Sequence, residues 1–157
     1  VNSALQRARK TVAERLPARS QQATLRAVGD RRVRELVAAY VDAWSRGDVD
    51  ALRNLLAEDA VFSMPPWSSW WRGRETVATF AAEAVELCAV SLPVLVSANG
   101  QPALAYYSLD SDTGTYRATA IDVLTLDGPS IAEITAFLAP ALFARFDLPD
   151  ELACAVP

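Results

Sequence analysis

The sequence runs to 157 residues, long enough for one ordinary domain and an extension, and its 52% apolar content with four Trp, four Tyr and five Phe excludes a disordered chain. Histidine is absent, so no Ser-His-Asp triad, Cys-His pair or imidazole metal site exists, and acid–base chemistry falls to carboxylates or tyrosines. The net charge of −4 is unevenly spread: residues 1–34 hold nine basic residues against two acids, a balance of +7, and the rest holds six against 17, a balance of −11. That is a basic, nucleic-acid-facing arm on an acidic body that by itself repels DNA.

In chain order, VNSALQRARKTVAERL (1–16) places Val1, Leu5, Ala8, Val12 and Leu16 on one helical face, with Arg7 and Lys10 on its flank, and Pro17 stops it. Residues 17–29 are polar and uneven and read as a linker, although ATLRAV can continue as helix. RRVRELVAAYVDAWSRG predicts a helix from the three- and four-residue spacing of Val33, Leu36, Val37, Tyr40, Val41 and Trp44. Gly47 is placed to end it and Asp48 to cap the next helix, DVDALRNLLA. AVFSM reads as a strand broken by Pro65-Pro66, and RETVATFAAEAVELC as a third helix ending at Cys88. From Ser91 the period changes: SLPVLVSA, ALAYYSL, TYRATAIDVLTL and SIAEITAFL are strand-like, joined by the turn signals NGQP, DSDTG and DGPS. PALFARF is a short helix started by Pro140. After the basic helix the order is α-α-β-α-β-β-β-β, an α+β domain over 30–150 with a tail at 151–157.

Few residues carry chemistry. In SMPPWSSWWRGRE, Trp67, Trp70 and Trp71 either plug one end of the core or form an aromatic rim over a pocket or a docking patch. Asp122 interrupts the apolar strand ATAIDVLTL; facing inward it becomes an acid or base with a raised pKa, and facing outward it meets water or an arginine. Asp42 reads as a surface residue, and Asn99-Gly100-Gln101 as a hairpin turn. Cys88 and Cys154 stand far apart with no C-x-x-C spacing, as inert thiols suited to a reducing cytoplasm. No apolar run approaches the roughly 20 residues that cross a bilayer. There is no phosphate loop and no metal-ligand cluster, so no cofactor and no metal are expected, and DSD at 110–112 is too short for a calcium loop.

The stretches AAYVDAWSRGDVDALRNLLAEDAVFSM, RGRETVATF and DVLTLDGPSIAEITAFLAPALF carry a resemblance to SnoaL-like polyketide cyclases and ketosteroid-isomerase-like folds. It implies a cone: a curved antiparallel sheet wrapped around helices, leaving a pocket. The pocket residues implied are Trp67, Trp70, Trp71, Asn99, Gln101, Tyr106, Asp122 and Phe137, with the two amides of Asn99 and Gln101 near the cone mouth, holding a ligand or the linker. Ketosteroid isomerases use a base Asp with a Tyr and a protonated Asp as oxyanion donors. Here Asp122 with Tyr106 or Tyr107 would supply two of these, and Ile134, Thr135, Ala136 and Phe137 stand where related enzymes often show a His-Trp-Asp-like trio.

VNSALQRAR resembles the end of the promoter-reading helix-turn-helix of extracytoplasmic-function sigma factors, through Val1, Ser3, Ala4, Leu5, Arg7, Ala8 and Arg9. SMPPW and NGQPA are similar to the SnoaL-like domains fused behind that motif in one actinobacterial sub-class. The resemblance implies a cytoplasmic regulatory domain, not an enzyme, with residues 1–16 as a recognition-helix remnant that keeps Ser3, Arg7, Arg9 and Lys10 of the DNA-binding face. The implied partners are RNA polymerase core and promoter DNA through preceding sigma domains, the sigma helices and linker in the same molecule, a small apolar ligand, and a second copy as a homodimer. A cyclase- or isomerase-type enzyme using Asp122 and Tyr106 is the alternative.

Overall fold

The computed structural model describes residues 2–15, 20–87 and 91–153. Pro17, Cys88 and Cys154, read above as a helix stop and two inert thiols, lie outside the described residues. Helix α1 spans Asn2–Arg15, and its side chains from Ser3 to Val12 are exposed.

Most of the stretch read as linker is ordered. Gln21–Val28 forms helix α2, begun by the Ser20 side chain accepting from the Ala23 N–H and closed at Gly29, whose φ of 86° suits glycine. The helix reading of ATLRAV holds, and the polar residues before it join the same helix from Gln21. Helix α3, Asp30–Arg46, follows the expected spacing and buries Leu36, Val37, Tyr40 and Ala43. It ends at the left-handed Gly47 (φ 63°), and the Asp48 carboxylate accepts the Ala51 N–H at 2.9 Å to start helix α4, Val49–Leu55.

Strand β1, Leu56–Ser63, begins four residues before the apolar cue at Ala60, and a three-residue strand β2, Trp70–Arg72, pairs beside it. Helix α5 covers Arg74–Leu87. The meander then runs as expected through β3 (Ser91–Ala98), β4 (Gln101–Asp110), β5 (Thr115–Asp127) and β6 (Ser130–Phe137). Pro140–Phe146 forms a 3-10 helix. Glu151–Ala153, read as the start of a tail, forms β7 on the free edge of β5 at Thr115–Arg117.

The sheet order is β2-β1-β6-β5-β4-β3, with β7 on β5. Neighbours are antiparallel except β1 and β6, which run parallel. Register shifts leave Thr119 of β5 extra opposite Tyr106/Tyr107 and Ala132 of β6 extra opposite Thr125/Leu126, and they bend these strands, giving the curvature a cone requires. The two faces are covered differently. On the inner face Phe62, Leu104, Leu124, Ile134 and Ala136 pack against α3 and α5. On the outer face the alanines 103, 105 and 118 leave room for Phe143 of the 3-10 helix, which is fully buried edge-on to Tyr107 at a ring distance of 5.0 Å.

Candidate functional site

The inner face brings the interior polar groups together. Tyr40 and Trp44 lie one turn apart on α3, which points both at the sheet. Their rings meet edge to face at 6.2 Å. Strand alternation turns Asp122 inward on β5, beside Leu124 and opposite Leu104 and Ala136. Asp122 is 7% exposed and Tyr40 fully buried, and the Tyr40 hydroxyl donates to Asp122 Oδ2 at 3.3 Å. Tyr106, half-buried on β4, packs against the same core.

Burial dominates the electrostatics. It pushes the Asp122 carboxyl up to about 7, against the opposing pull of the Tyr40 hydrogen bond. It also holds the Tyr40 phenol well above its ordinary value, reinforced by the charge of Asp122 and then by Tyr106. Asp122 can therefore take up or release a proton near neutral pH, while Tyr40 stays protonated as a hydrogen-bond donor. Asp122 is the buried charged residue among the described residues, so no second carboxylate joins it.

The remaining expected pocket residues are dispersed. Trp71 points inward and stacks on Phe80 at 3.8 Å with an interplanar angle of 20°. Trp67 and Trp70 point outward, 62% and 60% exposed, beside a groove of about 440 Å³ that also touches Arg72 and Glu133. The Arg72 guanidinium lies 6.0 Å from the Trp70 ring centre. Pairing rules explain the split: Phe62 and Trp71 are register partners on the inner side, and Ser63 and Trp70 partners on the other. Asn99 sits in the β3–β4 turn at φ 52°, where its backbone carbonyl, and not its side-chain amide, accepts from Gln22 Nε2 at 3.2 Å. The Gln101 amide is spent on Thr125 Oγ1 at 2.9 Å and the Leu124 carbonyl at 3.4 Å. Phe137 pairs with Ile121 on the outer face, away from Asp122. Tyr107 is turned outward too, donating to the Pro149 carbonyl at 2.8 Å. Asp42 is exposed and paired with Arg46, as its surface reading expects.

Two further grooves open on the surface: about 830 Å³ between α2 and the β5–β6 turn, and about 550 Å³ between α3 and β3. None of the three grooves is lined by Asp122, Tyr40 or Tyr106. Sequence reasoning missed Tyr40 as the polar partner of Asp122 because its spacing marked it as ordinary core; the signal available was a phenol on a largely aliphatic stripe. It also missed Gln21, described below. Among the described residues no His, Cys, Asp or Glu cluster could hold a metal, and no helix is long and apolar enough to cross a membrane. On α1, Ser3, Arg7, Arg9 and Lys10 are all exposed.

Comparison with known proteins agrees with this architecture. The sequence pattern of the SnoaL-like domain family matches residues 37–134. The ECF RNA polymerase sigma factor SigG of Mycobacterium tuberculosis is 32% identical over 154 residues, covering 97% of this chain and 40% of SigG. The chain thus spans about 40% of the length of the curated relatives it matches. Similar solved structures include an NTF-2 like protein of unknown function from Burkholderia xenovorans (TM-score 0.59, 15% identity, covering 74% of this chain and 94% of that one). A snoal-like protein of unknown function from Burkholderia thailandensis superposes with a TM-score of 0.55 at 19% identity, over 71% of this chain and 98% of that one. A de novo designed protein with a curved β-sheet does so with a TM-score of 0.59 at 12% identity, over 76% and 94%. At such identities these three show the fold only.

Proposed function

The chain belongs to the SnoaL-like domain family, and on that premise we propose that it is the C-terminal regulatory domain of an ECF sigma factor, tuning core polymerase binding and promoter-specific initiation. The observation that carries this reading is the extent of the likeness to SigG. It runs over 97% of the chain, so it takes in the basic α1 segment as well as the sheet. The charge division supports it: a body of balance −11 follows a segment of balance +7. Contact between them would occupy the basic face that otherwise meets phosphate, and the interaction is screened beyond about 8 Å at physiological salt. A small apolar ligand is the signal this reading favours. The test is the affinity for core RNA polymerase of the whole protein carrying this chain, compared with the same protein ending at Leu16. Different affinities are expected; equal affinity together with equal promoter output overturns the proposal.

The Asp122–Tyr40 pair favours a second reading, a cyclase- or isomerase-type enzyme in which Asp122 moves the proton and Tyr106 or Tyr40 supplies a phenol. It requires a ligand to reach Asp122. An Asp122 carboxyl infrared band that no member of a panel of apolar ring compounds perturbs overturns it.

A further inference from the structure

Helix α2 is held to the sheet by side-chain amides more than by buried apolar surface. None of its residues is buried, and Leu25 packs only partly buried against the inner core. Gln21 spends both ends of its amide on one backbone position. The Leu126 N–H donates to Gln21 Oε1 at 2.7 Å, and Gln21 Nε2 donates to the Leu126 carbonyl at 3.2 Å. The β4–β5 ladder ends at the pair Ala103–Val123, so at Leu126 the Gln21 amide takes backbone groups that β4 no longer pairs. Gln22 reaches the Asn99 carbonyl in the β3–β4 turn, and Gln101 braces β5 beneath at Thr125. Beside these bonds the 830 Å³ groove separates Thr24, Ala27 and Val28 from Asp127, Gly128 and Pro129.

An eight-residue helix is too short to persist in water without its docking contacts, so a released α2 melts. Docked, eight residues span about 12 Å at 1.5 Å per residue. Melted and drawn out, the same residues reach about 26 Å. In the chain α2 stands between the basic α1 and the acidic body. We propose that α2 is a latch: docked through Gln21–Leu126 and Gln22–Asn99 it holds α1 on a short tether, and local release of those amide bonds lengthens the tether. Release is the low-stability opening expected of an element with little buried surface, one exposed hydrogen bond at Gln22 and half-buried ones at Gln21. This deepens the regulatory reading and rests on it, since it names the coupling element between the sheet and the basic helix.

Hydrogen exchange on the chain tests the latch directly, with Gln21→Leu and Gln21→Glu as variants. The Glu variant keeps an acceptor for the Leu126 N–H and faces the Leu126 carbonyl with an oxygen in place of a donor. Exchange at the backbone amides of residues 24–28 is expected to speed by on the order of tenfold in both variants. Exchange at Ile121–Leu124 in the core of β5 is expected to stay at its wild-type rate, which separates unlatching from misfolding. Unchanged exchange in α2 overturns the latch, and so does a parallel loss of protection in β5. In transcription by the whole protein, Gln21→Leu is expected to shift output in the same direction as truncation after Leu16. A shift on truncation with none in Gln21→Leu overturns the coupling role and leaves the regulatory reading standing. No shift on truncation overturns both.

Discussion

Replacing Asp122 with Asn keeps the shape of a fully enclosed side chain and deletes its titration, so the exchange isolates what the buried carboxyl does to the fold. Its pKa is raised from 3.8 to about 7, chiefly by burial. Between those two values the folded protein keeps a proton that the unfolded chain has released. The contribution of this group is therefore fully present below about pH 4, declines as pH rises, and is lost above about pH 7. A shift of about three units at 1.36 kcal/mol each makes the loss about 4 kcal/mol. Wild type should thus fall behind Asp122→Asn by about that amount between pH 4 and 8, with the two nearest in stability at the acid end. Urea denaturation across this range gives both curves, and their difference cancels the exposed carboxylates common to both proteins. A difference that is flat with pH refutes the reasoning, because it means that Asp122 titrates alike in the folded and unfolded chains.

Truncating the three tryptophans should separate them: Trp71→Ala loses the stack on Phe80 and costs about 3–4 kcal/mol, while Trp67→Ala and Trp70→Ala stay within about 0.5 kcal/mol in urea denaturation. Phe143→Ala empties the site among the outer-face alanines and should cost about 3–5 kcal/mol; retention of wild-type stability would show that the 3-10 helix is not part of the fold's core. Gly47→Ala places a Cβ 2.9 Å from Val85 Cγ1 at a φ of 63°, and a thermal melt should register a loss of about 1–2 kcal/mol.

The elements most legible in the sequence are those set by local chemistry. Gly47 and Asp48 marked the α3–α4 corner because a left-handed C-terminus and a carboxylate cap are written in neighbouring residues. The turn signals separated β3 through β6 for the same reason. Features that depend on distant partners were hidden. Strand β2 is three residues long and exists through β1, and the parallel β1–β6 pairing joins segments some 70 residues apart. The docking of helix α2, though not its ATLRAV helix, depends on the backbone of Leu126, which no local pattern announces. The candidate site was half legible. Asp122 was marked by a carboxylate in an apolar strand, but which tryptophan turned inward depended on the β1–β2 register, and Asn99 and Gln101 proved to be engaged with the protein's own backbone and side chains.

The central claim is that the sheet domain governs what the basic segment and its preceding partners do at a promoter. Run-off transcription by RNA polymerase core, reconstituted with the whole protein or with the same protein ending at Leu16, measures this most directly. The account expects the two outputs to differ at equal protein concentration, with Gln21→Leu displaced toward the truncated protein. Identical output from all three, with identical affinity for core polymerase, would contradict it.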